Sequence, residues 1–299
     1  MGLIDKNEAV LRLLEGTPVA VPTETVYGLA APINNEQALR KIFSIKKRPF
    51  DDPLIVHVSS LKMAQSIVDS ESDDFNLLAK HFWPGPLTLV FKKNSSLVSD
   101  LVTSSLDTVA VRCPNSKVLL EIIDKVGPLA APSANIFKAV SPTKSEHVLK
   151  ELPEAEVLKG EASTIGLEST IYDIVSQTIL RPGSVTASEI SEILNKEVTY
   201  SEKLKTPGSE KDHYQPKQSV WVFESDELLK NNATLAHSLM PLRTQYKEAS
   251  KNLYQDLRDC DQKEKTIFVR FDPEWHQKEE WRAFTNRLLK ASSKWFSIN

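Results

Sequence analysis

The chain has 299 residues and a formal net charge of −3, with 40% hydrophobic and 26% charged residues. This length exceeds the usual size of one compact domain, so two domains are expected, although one large α/β domain would also fit. The small net charge argues against a uniformly basic nucleic-acid binder, and no apolar run approaches the roughly 18 residues of a membrane span. The N-terminal residues show no secretory pattern, so we expect a soluble, cytoplasmic protein with no membrane partner. Cys113 and Cys260 lie far apart and are expected to be free thiols.

A loop rich in hydrogen-bonding side chains follows the first predicted strand, residues 19–21, which a helix over residues 6–15 is expected to cover. Pro22 would end the strand, and Gly28 would allow either a turn or a close approach to the backbone. Between them, Thr23 and Thr25 either bond to local backbone as a capped turn or line a site.

A helix beginning at residue 34 or 35 and a strand at residues 54–58 come next. Positive charge is concentrated locally at Lys41, Lys46, Lys47 and Arg48. This cluster is either a solvated helix face or an anion site. His57 interrupts the apolar strand, so it is either a satisfied core residue or a ligand-binding one.

Two further strands end in groups that suit anionic ligands. The strand at residues 108–112 ends in Arg112, which could hold a carboxylate or form a surface salt bridge. The strand at residues 129–131 leads into Ser133 and Asn135, whose hydroxyl and amide suit phosphate or ribose oxygens.

The remaining pattern predicts a hairpin, a linker and a second α/β unit. The hairpin pairs residues 171–175 with residues 179–183 and carries Arg181. Two capping boxes are predicted at helix starts, Thr143 with Glu146 and Thr186 with Glu189. Residues 201–218 lack apolar periodicity and form a linker, in which His213 and Tyr214 favour a lid over a passive tether. Strands and amphipathic helices beyond it indicate a small α/β unit.

Several of these segments recur in a known order. They are residues 22–28, residues 46–57, Ser133 with Asn135, residues 167–170, residues 180–183 and residues 213–217. The chain resembles the YrdC-like threonylcarbamoyl-AMP synthases in their long, two-domain form. The resemblance implies an α/β, YrdC-like three-layer fold with a mixed twisted sheet at residues 1–200, a linker or lid at residues 201–218, and a small Rossmann-like α/β accessory domain at residues 219–299.

The resemblance also implies the reaction and its residues. L-Threonine, bicarbonate and ATP would give threonylcarbamoyl-AMP and pyrophosphate, for threonylcarbamoyladenosine modification of tRNA. The implied threonine-binding residues are Thr25, His57, Arg112, Ala131 and Ser169. The implied ATP-binding residues are Lys46, Arg48, Asp52, Thr108, Ser133, Asn135, Ser141, Arg181 and Tyr214. Those expected to act in catalysis are Lys46, Arg48, Ser133, Asn135 and Arg181.

One residue departs from the family pattern. The family commonly has Asn where this chain has Asp52, and a carboxylate there would repel triphosphate unless it faces Mg²⁺ or pairs with Arg48. We expect Mg²⁺ to accompany ATP, because the reaction spreads charge over phosphate oxygens. The implied partners are ATP, L-threonine and bicarbonate, with downstream tRNA-modification proteins and double-stranded RNA or tRNA as further candidates.

Two alternative functions remain open from the sequence. One is an RNA-binding translation or ribosome-assembly factor, in which the basic groove would be the whole function. The other is a carbamoyl-transfer enzyme on the same fold, which would use carbamoyl phosphate.

Overall fold

The computed structural model describes residues 2–69, 72–94, 97–201, 212–233 and 236–298. Within these residues the chain forms one sheet of eleven strands and one of four. The strands of the large sheet are β1 (Leu3–Ile4), β2 (Val19–Val21), β3 (Gly28–Pro32), β4 (Ile55–His57), β5 (Leu87–Lys92), β6 (Thr108–Arg112), β7 (Leu129–Ala130), β8 (Glu156–Leu158), β9 (Thr170–Asp173), β10 (Thr178–Arg181) and β11 (Thr199–Tyr200). The helices around it are α1 (Lys6–Leu14), α2 (Glu36–Lys46), α3 (Leu61–Ile67), α4 (Asp73–Phe82), α5 (Asp100–Thr103), α6 (Lys117–Val126), α7 (Ser145–Glu151) and α8 (Ala187–Leu194).

The large sheet is mixed and runs in the order β1-β8-β2-β3-β7-β4-β6-β5-β9-β10-β11. Strand β4 is parallel to β6, and β5 is parallel to β9. Strands β5 and β6 pair antiparallel to each other, as do β9 and β10. The mixed α/β class expected from the sequence is confirmed.

Helices pack on both faces of this sheet, which gives three layers. Alternation along β5 points Leu87, Leu89 and Phe91 into the main core, which helices α2, α3, α4 and α8 cover. Helices α1 and α6 cover the opposite face of β2, β3 and β7 around residues such as Leu13 and Ile122.

The other face of β4, β5, β6, β9 and β10 carries a small apolar cluster of Ile55, Val90 and Ile171. The partly buried side chains of Ala110 and Leu180 border this cluster. This region is called the site face below, because the candidate active site lies at one end of it.

The second sheet forms the accessory domain and is entirely parallel, in the order β13-β14-β12-β15. Its strands are β12 (Val220–Phe223), β13 (His237–Leu239), β14 (Thr266–Arg270) and β15 (Lys294–Phe296). Its helices are α9 (Asp226–Asn232), α10 (Tyr246–Asp261) and α11 (Arg282–Ala291), with short 3-10 helices at Pro273–Gln277 and Glu279–Trp281. Helices between parallel strands agree with the Rossmann-like expectation.

The structure decides between the two alternatives for Gly28 and contradicts one capping prediction. Gly28 does not make a turn: it begins β3, which pairs antiparallel with β2, and a Cβ at this position would lie 3.2 Å from the Cβ of Ala131. The close-approach interpretation of Gly28 is therefore the right one. Thr143 does not cap a helix, because α7 begins after Lys144 and has no side-chain cap bond. The capping box of Thr186 and Glu189 is present as predicted.

Of the predicted linker, residues 202–211 lie outside the described residues. The following segment runs along the domain that contains the large sheet, where the backbone N–H of Gln215 donates to the carbonyl of Lys138 at 2.9 Å. Across the described ranges, no helix combines the length and apolarity that crossing a membrane requires.

Candidate active site

A cavity lies at the edge of the site face, among the ends of several strands. The predicted site residues that line it are Thr25, Arg48, His57, Arg112, Ala131, Ser133, Ser169, Arg181 and Tyr214. All five residues predicted for threonine are in this set. The fold thus gathers polar groups from positions 25 to 214 of the chain, which local sequence patterns could not show.

Arg112 is fixed at the end of β6 by three neighbours. Its Nε donates to the carbonyl of Gly85 at 3.1 Å, and its Nη1 donates to Oγ1 of Thr25 at 2.9 Å. Its Nη2 lies 2.7 Å from Oε1 of Glu24, and both side chains are nearly fully buried. Thr25 in turn shares a 2.8 Å hydrogen bond with Thr23. Glu24 was missed by the sequence interpretation, although a carboxylate in a loop directly after a strand was a visible signal.

His57 faces the cavity as a neutral imidazole. Burial, and then the nearby Arg112, lower its pKa from 6.5 to about 3. Its buried Nδ1 has no hydrogen-bond partner among the described residues. This nitrogen is therefore available to a polar ligand atom.

Ser169 lies between the predicted threonine and ATP residues. Its hydroxyl is 2.7 Å from Oγ1 of Thr88 and 3.2 Å from Nη2 of Arg181. Arg181 also donates from Nη2 to the Ser169 carbonyl at 3.0 Å. The two predicted groups of residues therefore meet within one cavity.

Asp52 pairs with Arg48, one of the two arrangements expected for this unusual carboxylate. The Nη2 atom of Arg48 lies 2.8 Å from Oδ2 of Asp52 and 2.9 Å from the carbonyl of Pro53. Both partners lie in the loop between α2 and β4, so the pair stabilises the shape of that loop beside the cavity. A contact between Asp52 and ATP stays a prediction.

Besides Asp52, four predicted ATP residues do not line the cavity. Lys46 is buried, and its ammonium donates to the carbonyls of Ser133 and Asn135 at 2.5 and 2.6 Å. Burial and the charge of Arg48 lower the pKa of Lys46. Asn135 holds the same loop by donating to the carbonyls of Ile136 and Ala139. Lys46 and Asn135 thus shape the Ser133 loop, and a direct contact with ATP stays a prediction for both.

The other two are Ser141 and Thr108. The hydroxyl of Ser141 donates to Oε1 of Glu168 at 2.7 Å. Thr108 begins β6, at the opposite end from Arg112, but the two-residue period places both on the site face. A ligand extending along that face would reach Thr108.

Glu168 is a cavity-lining carboxylate that the sequence interpretation also missed. Besides Ser141, it accepts hydrogen bonds from the hydroxyl of Tyr254 and from Nε of Arg287, both in the accessory domain, at 2.9 Å each. Burial alone would raise its pKa, but Arg287 and Arg181 lower the pKa to about 2. Glu168 is therefore ionised, and its charge is balanced across the two domains.

The linker contributes His213 and Tyr214 to the cavity wall. Tyr214 is 1% exposed, and its ring stacks on Tyr254 at 5.6 Å. Burial and then Glu168 raise its pKa to about 12, so the phenol stays protonated and can donate a hydrogen bond. These contacts hold the segment after residue 211 over the cavity.

Comparison with known proteins covers both domains. The sequence profile of the family described as "Telomere recombination" matches residues 12–183, and that of "Threonylcarbamoyl-AMP synthase, C-terminal domain" matches residues 185–293. The threonylcarbamoyl-AMP synthase of Pyrococcus abyssi is 35% identical, over 93% of this chain and 91% of the relative. The chain belongs to the threonylcarbamoyl-AMP synthase family.

Other relatives of the family agree. The threonylcarbamoyl-AMP synthase of Bacillus subtilis is 37% identical, over 73% of this chain and 66% of the relative. The crystal structure of P. abyssi Sua5 complexed with L-threonine has a TM-score of 0.89 at 31% identity, covering 100% of this chain and 99% of that one. The resemblance, the fold and the enzyme class expected from the sequence are thereby confirmed: the family activity is ATP-dependent adenylyl transfer that forms threonylcarbamoyl-AMP.

Proposed function

We propose that the cavity is the active site in which L-threonine, bicarbonate and ATP become threonylcarbamoyl-AMP and pyrophosphate. The observation that carries this proposal is the meeting of two groups of residues in one cavity, with Ser169 touching Arg181 between them. Family membership supplies the reaction class.

The threonine subsite comprises Thr25, His57, Arg112, Ala131 and Ser169. A relative of the same fold has been crystallised with L-threonine, which supports a site for this amino acid. Arg112 is a suitable partner for the substrate carboxylate, since a guanidinium has five N–H donors and can engage a second acceptor. The Nδ1 atom of His57 suits the hydroxyl or amino group.

ATP lies beside threonine, with its phosphates near Arg48, Ser133 and Arg181. The common glycine-rich phosphate loops are absent from the sequence, so side chains must supply the donors. Adenosine extends along the site face toward Thr108, over the apolar surface of Ala110 and Leu180. The phenol of Tyr214 closes the nucleotide side of the cavity.

The amine of threonine combines with bicarbonate, with loss of water, to give a carbamate. The carbamate oxygen attacks the α-phosphorus of ATP, and the bond to the β-phosphate oxygen breaks to release pyrophosphate. Fixed guanidinium groups stabilise charge that develops on the phosphate oxygens, so the protein acts mainly by positioning and electrostatics. No covalent enzyme intermediate is required.

Mg²⁺ enters as the counter-ion of ATP. Among the described residues there is no group of three or more His, Cys, Asp or Glu side chains that could hold a metal. Glu168 lines the cavity and is paired with Arg287, and the carboxylates of Asp52 and Glu24 are paired with Arg48 and Arg112. Phosphate oxygens and water therefore provide most of the Mg²⁺ ligands, as is common for this ion.

The product is an activated threonylcarbamoyl group, which we propose is passed to tRNA-modification proteins in the cytoplasm, with tRNA or double-stranded RNA as a candidate partner. The linker acts as a lid that keeps water from the labile adenylate.

Pyrophosphate release tests this proposal. We expect release only when threonine, bicarbonate and ATP are present together. Equal release from ATP alone would refute it. Salt-dependent RNA binding without ATP consumption would favour the binding factor, and use of carbamoyl phosphate would favour the carbamoyl-transfer enzyme.

A further inference from the structure

The cavity wall contains a negatively charged carboxylate, that of Glu168, in the cavity where we propose that the triphosphate of ATP binds. Glu168 lines the cavity and is 7% exposed. An uncompensated carboxylate at this position would repel a triphosphate and attract the neighbouring Arg181. Something must therefore hold the Glu168 charge away from the nucleotide.

Arg287, on helix α11 of the accessory domain, is placed to do this. Its side chain has no exposed surface, and its Nε lies 2.9 Å from Oε2 of Glu168. Its Nη1 donates to the carbonyl of Pro182 at 2.7 Å, next to Arg181 in the chain. Its guanidinium carbon lies 5.5 Å from the ring centre of Tyr214. One arginine thus touches the carboxylate, the Arg181 loop and the linker.

We propose that Arg287 is a positioning residue for ATP: it neutralises and orients Glu168, so that Arg181 remains at the cavity wall, directed toward the phosphates. In this way the accessory domain completes the nucleotide subsite of the catalytic unit. Without Arg287, the carboxylate would draw Arg181 into an ion pair and leave a negative charge beside the phosphates. The inference rests on the proposed function, because it requires that ATP binds in this cavity.

The test measures the affinities of a non-hydrolysable ATP analogue and of threonine by calorimetry, in the full-length wild-type protein and three full-length variants. Arg287→Met removes the charge and keeps much of the side-chain volume. Arg287→Met with Glu168→Gln removes both charges, and replacing a whole buried pair is often tolerated. Glu279→Ala is the matched control. It removes another contact between the domains, since Glu279 accepts from the backbone N–H of Ala187 and the hydroxyl of Ser188, but it leaves the charge of Glu168 unchanged.

We expect Arg287→Met to weaken ATP-analogue binding at least about tenfold, with threonine affinity within about threefold of wild type. The double variant should recover ATP affinity to within about threefold of wild type, because the repelling carboxylate is gone. Glu279→Ala should keep both affinities. Where Arg287→Met does not fold, Arg287→Gln keeps an N–H donor toward Glu168 while losing the charge, and the same loss is expected.

Equal loss of both ligands in Arg287→Met, or in the Arg287→Gln that replaces it, would overturn the inference, as would unchanged ATP affinity. A double variant no better than the single would also overturn it, since the two charges would then not act together. Failure of the wild-type protein to bind the ATP analogue would instead overturn the proposed function itself. The two failures are therefore distinguishable.

Discussion

Replacement of His57 by glutamine should flatten the acid dependence of stability. The imidazole is 4% exposed, and its pKa falls from 6.5 to about 3 in the folded protein. A depressed pKa means that the unfolded state binds a proton which the folded state does not. Stability from this residue is therefore complete above pH 6.5 and is lost as the pH falls from 6.5 toward 3.

The expected size follows from that difference in pKa. Below pH 6.5, each pH unit costs about 1.4 kcal/mol per proton taken up on unfolding. Because pH 5 lies 1.5 units below 6.5, His57 should lower the free energy of unfolding at pH 5 by about 2 kcal/mol relative to pH 7.5. Other groups titrate over the same range, so the quantity to compare is the change between the two pH values in each protein.

Urea unfolding of wild type and His57→Gln at pH 7.5 and pH 5 measures this. At pH 7.5, the difference in free energy of unfolding between wild type and the variant gives the pH-independent cost of altered packing. Between the two pH values, wild type should lose about 2 kcal/mol more than the variant. Equal losses in the two proteins would refute the conclusion that His57 is buried and neutral in the cavity.

Three substitutions in the cavity test its division into subsites. Arg181→Ala should lower turnover at least about tenfold with the fold intact, since one lost phosphate contact removes about 1.4 kcal/mol or more of transition-state stabilisation; an unchanged rate would remove Arg181 from the site. Ser169→Ala should weaken threonine binding more than ATP binding in calorimetric titrations, and a selective loss of ATP affinity would show that the subsites are exchanged. Tyr214→Ala should release adenylate faster in a product-trapping assay, because it removes a ring that stacks on Tyr254; retention equal to wild type would rule out a lid role for Tyr214.

Local sequence patterns predicted the elements that local interactions determine. Strands β4 and β6 were predicted from their alternating patterns, and β2 from a short apolar run. The two capping boxes show the limit of such patterns. Glu189 bonds to the backbone of Thr186 as predicted, whereas the backbone N–H of Thr143 donates to His147 at 3.2 Å. A threonine followed by a glutamate three residues later thus forms a capping box in one place and not in the other, and the sequence pattern alone does not distinguish the two cases.

Residues whose partners lie far away in the chain could not be found in this way. Glu168 and Arg287 are 119 positions apart, and Glu168 gains its role only when the accessory domain packs against the cavity. Arg112 was found from its position at a strand end, but its partner Glu24 was not, because the two residues lie far apart in the chain and pair only in the folded protein. Thr108 and Asp52 came from the family resemblance alone.

Incorporation of bicarbonate carbon into an adenylate tests the account most directly. With ¹³C-labelled bicarbonate, unlabelled threonine and ATP, mass spectrometry should detect threonylcarbamoyl-AMP that carries one labelled carbon, in amounts matching the pyrophosphate released. Arg181→Ala should form at least about tenfold less under the same conditions. Pyrophosphate release with no labelled adenylate, or an adenylate that forms without bicarbonate carbon, would contradict the account.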